Sequence, residues 1–330
     1  MISVVMPLYN KEGEVGRAIK SVMAQNFSDF KLIVINDGST DKGPEVVRQI
    51  HDTRISIIDQ DNSGVSAARN RGIEEAKSDL IAFLDADDEW LPNFLKTIDC
   101  LRKTYSSCSV FATNYICRNV DGSLVPTIIR GLPAAQWKGI FENYFKIASQ
   151  SAPPIVSSAI AAEKAALIST GGFPVGVEPG EDLITWAKLA LRYKIAYSTQ
   201  PASIFYLRES SWGRPTRVPD SADIVGQELE KMLESYGNKK IVGLEEYIAH
   251  WHQMRASMFL RLGKRKEAIY EVKKIAKYSK KNLKLYVFGL IALMPYRMCN
   301  CFFRTANGLK YTRRRINIKR MLQISQNGIS

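Results

Sequence analysis

The sequence predicts an α/β fold built on an open, mostly parallel sheet, and three observations carry that prediction. Short apolar runs alternate with amphipathic stretches through the first 113 residues. Several of those runs end abruptly in polar or acidic residues, as strands do at the ligand-binding edge of such a sheet. The chain, 330 residues with 45% apolar content, is also long enough for one large α/β domain and an appendage.

In chain order the strands are expected over residues 2–6, 31–36, 55–58, 80–84 and 109–114. Each is a short, predominantly apolar run, as expected of strands in a mostly parallel sheet, and 80–84 reads as fully buried. The intervening segments 14–24, 44–51, 65–76 and 91–103 carry helical periodicity. From residue 115 to 180 the pattern loosens, with a hairpin turn at Asn119-Val120-Asp121-Gly122 and a loop at Pro153-Pro154. A helix follows over 181–192, then two strand-like segments, 195–198 and 203–207. Beyond Trp212-Gly213-Arg214-Pro215 the chain is mostly helical, with a helical hairpin over 247–262 and 265–278 that turns at Gly263-Lys264. These shifts divide the chain into a first domain, 1–218, with halves 1–114 and 115–218, and a helical region, 219–330.

The net charge is +13, but it is unevenly placed. From His250 onward 19 Lys and Arg stand against Glu267 and Glu271, so that segment alone is about +17 and the remainder about −4. Basic residues flank the uncharged run 285–295, which is too short for a spanning helix of roughly 20 residues. The expected role of this region is a shallow contact with an anionic membrane surface, against the alternative of a buried core helix. Its aromatics lie in the apolar run rather than between the basic residues, which argues against specific nucleic-acid binding. Five cysteines without a C-x-x-C suggest neither a disulfide framework nor a zinc ribbon. Together with an apolar run that begins at Ile2, this leads to the expectation of a cytoplasmic protein on the inner face of the membrane.

The strongest chemical signal is Asp85-Ala86-Asp87-Asp88 after the apolar run 80–84. Residues i and i+2 leave a strand on one side, so Asp85 and Asp87 are placed as a carboxylate pair. Such a pair repels at neutral pH unless a cation compensates it, which points to a divalent metal, Mn²⁺ or Mg²⁺. Asp88 reads as a cap for the following helix, and Asp41 as a cap for the helix near 44. His250 and His252, at i and i+2, point apart on a helix and make no metal pair.

Four blocks together carry a family resemblance: Val4-Val5-Met6-Pro7-Leu8-Tyr9-Asn10, Val34-Ile35-Asn36-Asp37-Gly38-Ser39-Thr40-Asp41, Asn62 through Gly72, and Ala82 through Asp88. In order and spacing the series closely resembles the family 2 glycosyltransferases of GT-A fold. The resemblance implies a Rossmann-like mixed sheet flanked by helices, a nucleotide-sugar donor, a UDP-sugar in the first instance, and inversion at the anomeric carbon. It implies that Pro7, Tyr9 and Asn10 line the nucleotide pocket with Ser39, that Asp37 accepts a hydrogen bond from the base, and that Arg69 orders the acidic loop. Asp85, with Ala86 beside it, would contact ribose or donor sugar and share the metal that Asp87 ligates. Gly171-Gly172-Phe173 and Gly180-Glu181-Asp182 resemble two further elements of the family, which makes Asp182 the general base and Glu181 an acceptor-orienting residue.

The histidine that many relatives carry in Tyr-Arg-x-His is absent from Phe205 through Trp212, so Arg208, Arg214 or Arg217 is expected to meet the diphosphate instead. The Q-x-x-R-W signature of processive synthases is also absent, which favours transfer of single sugars to a glycan or lipid-linked acceptor. The rival class is a nucleotide-sugar-binding protein without catalysis. A nucleotidyltransferase is disfavoured, because Pro7-Leu8-Tyr9-Asn10 is not a Gly-rich phosphate loop.

Overall fold

The computed structural model describes residues 1–133, 136–207, 218–237, 240–279, 287 and 289–291. The chain divides into two compact units, one comprising residues 1–117, 127–147 and 151–206, the other 118–126, 148–150 and 207–330.

The first unit opens with four parallel strands and their crossover helices: β1 (Ile2–Leu8), α1 (Val15–Met23), β2 (Phe30–Asp37), α2 (Gly43–Arg48), β3 (Ile55–Gln60), α3 (Val65–Glu75) and β4 (Leu80–Phe83). The short β5 (Glu89–Trp90), α4 (Phe94–Thr104) and β6 (Val110–Arg118) follow. After β7 (Leu124–Pro126) come β8 (Lys138–Ile140), α5 (Tyr144–Ala148), β9 (Ile160–Glu163), α6 (Lys164–Ser169), α7 (Glu181–Arg192) and β10 (Ile195–Tyr206). Hydrogen-bonded neighbours run β3-β2-β1-β4-β9-β6-β10-β5.

Every residue of β1 and of β4 is buried, as their unbroken apolar sequences require of strands covered on both faces. β3, at the sheet edge, is only partly buried. α3 lies directly on β1 because Gly72 faces Val5: a Cβ at position 72 would overlap the valine side chain. Ala68, Ile73 and Val5 are buried at this seam.

The sheet differs from the sequence expectation in two places. β9 inserts antiparallel between β4 and β6, so β6 runs in the same direction as β4 without touching it as a βαβ partner. The two strands expected at 195–198 and 203–207 are one, β10. It pairs with β8 over Ala196–Ser198 and with β5 over Ser203–Ile204, and Pro201 falls between these ladders, where its missing N–H breaks neither.

In the second unit, Asn119-Val120-Asp121-Gly122 forms the expected tight turn: the Asn119 carbonyl accepts from the Gly122 N–H, and Gly122 has φ +80°. Three helices are described there, α8 (Ile224–Ser235), α9 (Leu244–Leu262) and α10 (Arg265–Tyr278). The α9–α10 hairpin closes on Gly263 at φ +78°. The Gly263 N–H donates to the Leu260 carbonyl and the Lys264 N–H to that of Phe259, a Schellman motif that stops α9 sharply. Ala249 and Ala256 let α10 approach closely enough to bury Ile275. The basic tail beyond 291 and most of the apolar run 285–295 lie outside the described residues. Among the described residues no helix is long and apolar enough to cross a membrane.

Candidate active site

Because β2, β1 and β4 are adjacent and parallel, their carboxyl ends emerge at one edge of the sheet. The segments after β1 and β2 are bound to each other. The Asn10 N–H donates to Ser39 Oγ at 3.2 Å, while Asn10 Oδ1 accepts from the Thr40 N–H at 2.8 Å. Asp41 accepts from the Glu12 and Gly43 N–H groups, so it does meet the start of α2, and Glu12 in return accepts from Lys42. Pro7 is buried within β1, and Tyr9 just beyond it is 48% exposed, an aromatic face available to a planar ligand.

Asp37 is only 2% exposed and works largely inward. Its Oδ1 accepts from Gln60 Nε2 at 2.7 Å and from the Ser63 N–H at 2.9 Å, and its Oδ2 from the Gly64 N–H at 2.9 Å. Gly38, at φ +69°, makes the turn possible, since a Cβ there would sit 2.8 Å from the Asn62 nitrogen. Asp37 thereby fixes the loop that opens α3, with lone-pair capacity remaining on Oδ2.

Arg69, from α3, is the hub of the acidic loop. Buried to 3% exposure, it donates to Asp85 Oδ1 at 2.7 Å and to Glu181 Oε1 at 2.9 Å, and its guanidinium carbon lies 5.1 Å from the Phe173 ring centroid. Burial opposes its charge, but the carboxylates of Asp85 and Glu181 outweigh that and hold the guanidinium above its ordinary range. The next residue, Asn70, pairs twice with the Phe173 backbone, donating to its carbonyl and accepting from its N–H, both at 2.8 Å. Gly172, at φ +64°, is required here because a Cβ would lie 2.5 Å from Asn70 Oδ1. Phe173 packs edge-on against Phe83 and Trp186, 5.3 and 5.4 Å between centroids, which seats α7 beneath the loop.

The four residues of the acidic cluster have four different environments. Burial raises the carboxyl pKa of Asp85, with Arg69 opposing and Asp87 reinforcing the shift. Ala86 is buried in the core and anchors the loop between its two neighbours. The Asp87 carboxylate meets Lys11 Nζ at 2.9 Å, and its backbone carbonyl accepts from Arg17 at 2.6 Å.

Asp88 is not a helix cap. Asn93 occupies the N-cap position of α4, whereas Asp88 is 2% exposed, accepting from Ser158 Oγ at 2.5 Å and from the Tyr206 N–H at 3.0 Å. Burial and the charges of Asp85 and Asp87 push its pKa well above the ordinary carboxylate value. It fastens the acidic loop to β10, an economical use of a carboxylate that local sequence pattern does not reveal. Ser158, fully buried, was also unforeseen: its hydroxyl donates to Asp88 and accepts from the Asp85 N–H at 3.1 Å. Nothing in its Ser-Ser context, some 70 residues away, marks it.

Glu181 and Asp182 open α7. Glu181 Oε2 accepts from the Gly180 N–H at 3.0 Å while Oε1 holds Arg69. Asp182 accepts from the Leu183 N–H at 2.8 Å, and burial, then the charge of Glu181, raises its pKa to about 7, against the pull of Arg69. A carboxylate poised there is suited to taking a proton near neutral pH. Arg208, Trp212, Arg214 and Arg217 lie outside the described residues.

Asp85 and Asp87 offer hard oxygen donors at a partly open sheet edge, the chemistry that suits Mn²⁺ or Mg²⁺. The ammonium already lying against Asp87 shows that a cation fits beside it. A second cluster lies within the helical unit, where Asp223, His252 and Glu271 bring ligand-type atoms within 4.8 Å of one another. The sequence reading paired His252 only with its neighbour, and missed these carboxylates because they come from other helices. There Glu271 binds His252 Nδ1 and Arg255 Nε, each at 2.7 Å, and Lys274 pairs with Glu230 at 2.8 Å. Arg255 already compensates both Asp223 and Glu271 while Lys274 holds Glu230 nearby, so the cluster reads as an ion-pair staple between helices.

The fold and the strand-end carboxylates define a GT-A type of transferase architecture, and comparison with known proteins agrees. Residues 3–122 match the model of Glycosyl transferase family 2. A Streptococcus pneumoniae protein, glycosyltransferase GlyA, is 26% identical over 219 residues, 64% of this chain and 31% of its own length. The chain spans about a third of the length of the curated relatives it matches first.

Among solved structures, S. aureus TarS 1–349 in complex with UDP-GlcNAc has a TM-score of 0.62 at 18% identity, covering 92% of each chain. The mannosyltransferase PcManGT from Pyrobaculum calidifontis, in complex with GDP-Man and Mn²⁺, has a TM-score of 0.51 at 18% identity, covering 94% of this chain and 86% of that one. These likenesses establish a shared fold.

Proposed function

We propose that the chain is an inverting glycosyltransferase that moves a sugar from a UDP-sugar to a hydroxyl acceptor with the help of Mn²⁺ or Mg²⁺. The observation that carries this reading is the chain of contacts from Asp85 through Arg69 to Glu181 beside Asp182. It joins a metal-suited carboxylate pair to a carboxyl whose pKa is about 7. The UDP-GlcNAc bound by TarS and the GDP-Man and Mn²⁺ bound by PcManGT support the donor class and the metal.

In this reading Asp87, with Asp85 beside it, would hold a divalent metal, which when bound would supply positive charge to the leaving diphosphate. Tyr9 faces the base, Asp37 accepts from it with its remaining capacity, and Pro7, Asn10 and Ser39 shape the pocket between the first two strand ends. Arg69 keeps Asp85 oriented toward ribose and donor sugar. Asp182 takes the acceptor proton as the hydroxyl attacks the anomeric carbon from the face opposite the diphosphate, which inverts the centre. Glu181, held by Arg69, orients the acceptor.

Purified protein is expected to release UDP from a UDP-sugar only when Mn²⁺ or Mg²⁺ is supplied, and Asp87→Ala is expected to lose that dependence together with turnover. Release at an undiminished rate in EDTA would overturn the metal assignment.

We further infer that the basic C-terminal segment brings the enzyme to an anionic membrane surface, where a lipid-linked or growing surface glycan would present the acceptor. Full-length protein should then sediment with anionic liposomes at low salt and be released by added salt, and a chain ending before Lys281 should stay in solution. Equal sedimentation of both chains would remove the membrane from this account.

A further inference from the structure

Lys11 belongs to neither the acidic loop nor any pattern noted in the sequence, yet its Nζ lies 2.9 Å from Asp87 Oδ2. We propose that Lys11 is a resident counter-ion for Asp87 that gives up its place to the divalent cation and then lies against the donor diphosphate. The inference rests on the reading of Asp87 as the metal ligand.

Three carboxylates, Asp85, Asp87 and Asp88, crowd one short loop. Arg69 compensates Asp85, and Ser158 with the Tyr206 N–H satisfies Asp88. Lys11 lies against Asp87, and both side chains are about four-fifths buried, so the pair is less screened than one on the open surface.

An ammonium and a metal ion are competitors for one carboxylate oxygen. A divalent ion at about 2.0–2.2 Å from Oδ2 and an ammonium at hydrogen-bond distance from the same oxygen repel each other as like charges. Metal binding therefore favours displacement of one of the two partners. Asp87 is the less free, since its carbonyl is held by Arg17 at 2.6 Å, and Arg17 lies 3.8 Å from the Tyr206 ring centroid while Tyr206 donates to Glu89.

The backbone on either side of Lys11 is equally fixed. Asn10 is bound to Ser39 and Thr40, and the Glu12 N–H to Asp41. Exchange is thus confined to the lysine side chain, whose four-carbon stem and compact, strongly hydrated charge suit it to swinging where an arginine fork would resist. Having moved, the ammonium would remain near Asp87, on the side where a leaving diphosphate would be neutralised, and a lysine there would bind phosphate as a point charge.

The test measures binding rather than turnover, by titrating metal-free full-length protein with Mn²⁺ under electron paramagnetic resonance and then with UDP by calorimetry. Lys11→Met is expected to bind Mn²⁺ alone about threefold to tenfold more tightly than the wild type, because its competitor is gone. At saturating Mn²⁺ the same variant should bind UDP about tenfold more weakly, and Lys11→Arg should recover part of the UDP affinity. Unchanged or weaker Mn²⁺ binding by Lys11→Met would overturn the exchange while leaving the donor site intact. If neither protein binds Mn²⁺ with or without UDP, the donor-site reading itself falls, and the exchange with it. Circular dichroism matching the wild type confirms that the variants are folded.

Discussion

Asp182→Asn is expected to lower kcat by about 10²–10⁴-fold while leaving the affinity for UDP within about twofold of wild type. Asparagine preserves the size of the side chain and can still accept from the Leu183 N–H, so α7 should start where it does now. What it removes is a carboxylate able to take a proton. The pH profile gives an independent reading. Burial and Glu181 raise the Asp182 pKa to about 7, so the working, deprotonated form is lost as pH falls through 7 rather than through 4. The wild-type kcat/KM should therefore climb about tenfold per pH unit below that value and level off above it. A profile flat from pH 5 to 8, or an Asp182→Asn enzyme with full acceptor-dependent turnover, would show that another group takes the proton.

Arg69→Met is expected to cost about 3–5 kcal/mol of folding stability, read as a lower urea midpoint, and to abolish transfer. Methionine fills much of the same space, so the loss comes from charge. Asp85 and Glu181 would be left facing each other with no cation between them, in a region already carrying Asp87 and Asp182. Glu181→Gln in the Arg69→Met background should recover part of the stability by removing one of the stranded charges, without recovering activity. If Arg69→Met melts like the wild type, the triad is solvent-relaxed and carries no such weight.

The parts legible in the sequence were those whose cause is local. β1, β2 and β4 are almost wholly buried and announce themselves as predominantly apolar runs, and Gly263 marks the end of α9 because a left-handed residue is needed there. What was not legible depends on residues that meet only after folding. Asp88 reads as a cap until Ser158 arrives from the turn before β9 and Tyr206 from β10. Pro201 reads as a strand break until the two ladders of β10 are seen to lie on either side of it. Lys11 is one cation among many in a basic protein until the topology of β1 and β4 sets it against Asp87. The candidate site was legible as separate blocks, because each block follows a strand. How the blocks hold one another was not, because that lies in side-chain contacts such as Asn70 with Phe173.

Those contacts bear on how such a protein can be altered by exchange of parts. The segment that carries Asp182 is fastened to α3 by two adjacent residues, Arg69 through Glu181 and Asn70 through Phe173, about 100 positions away in the chain. A recombination seam drawn at the turn 119–123, after β6, would cut no strand of the first half, yet it would separate a lock from its two keys. Chimeras that graft a foreign second half onto this chain should therefore fold correctly only when the Arg-Asn pair and the Gly-Gly-Phe turn come from the same parent.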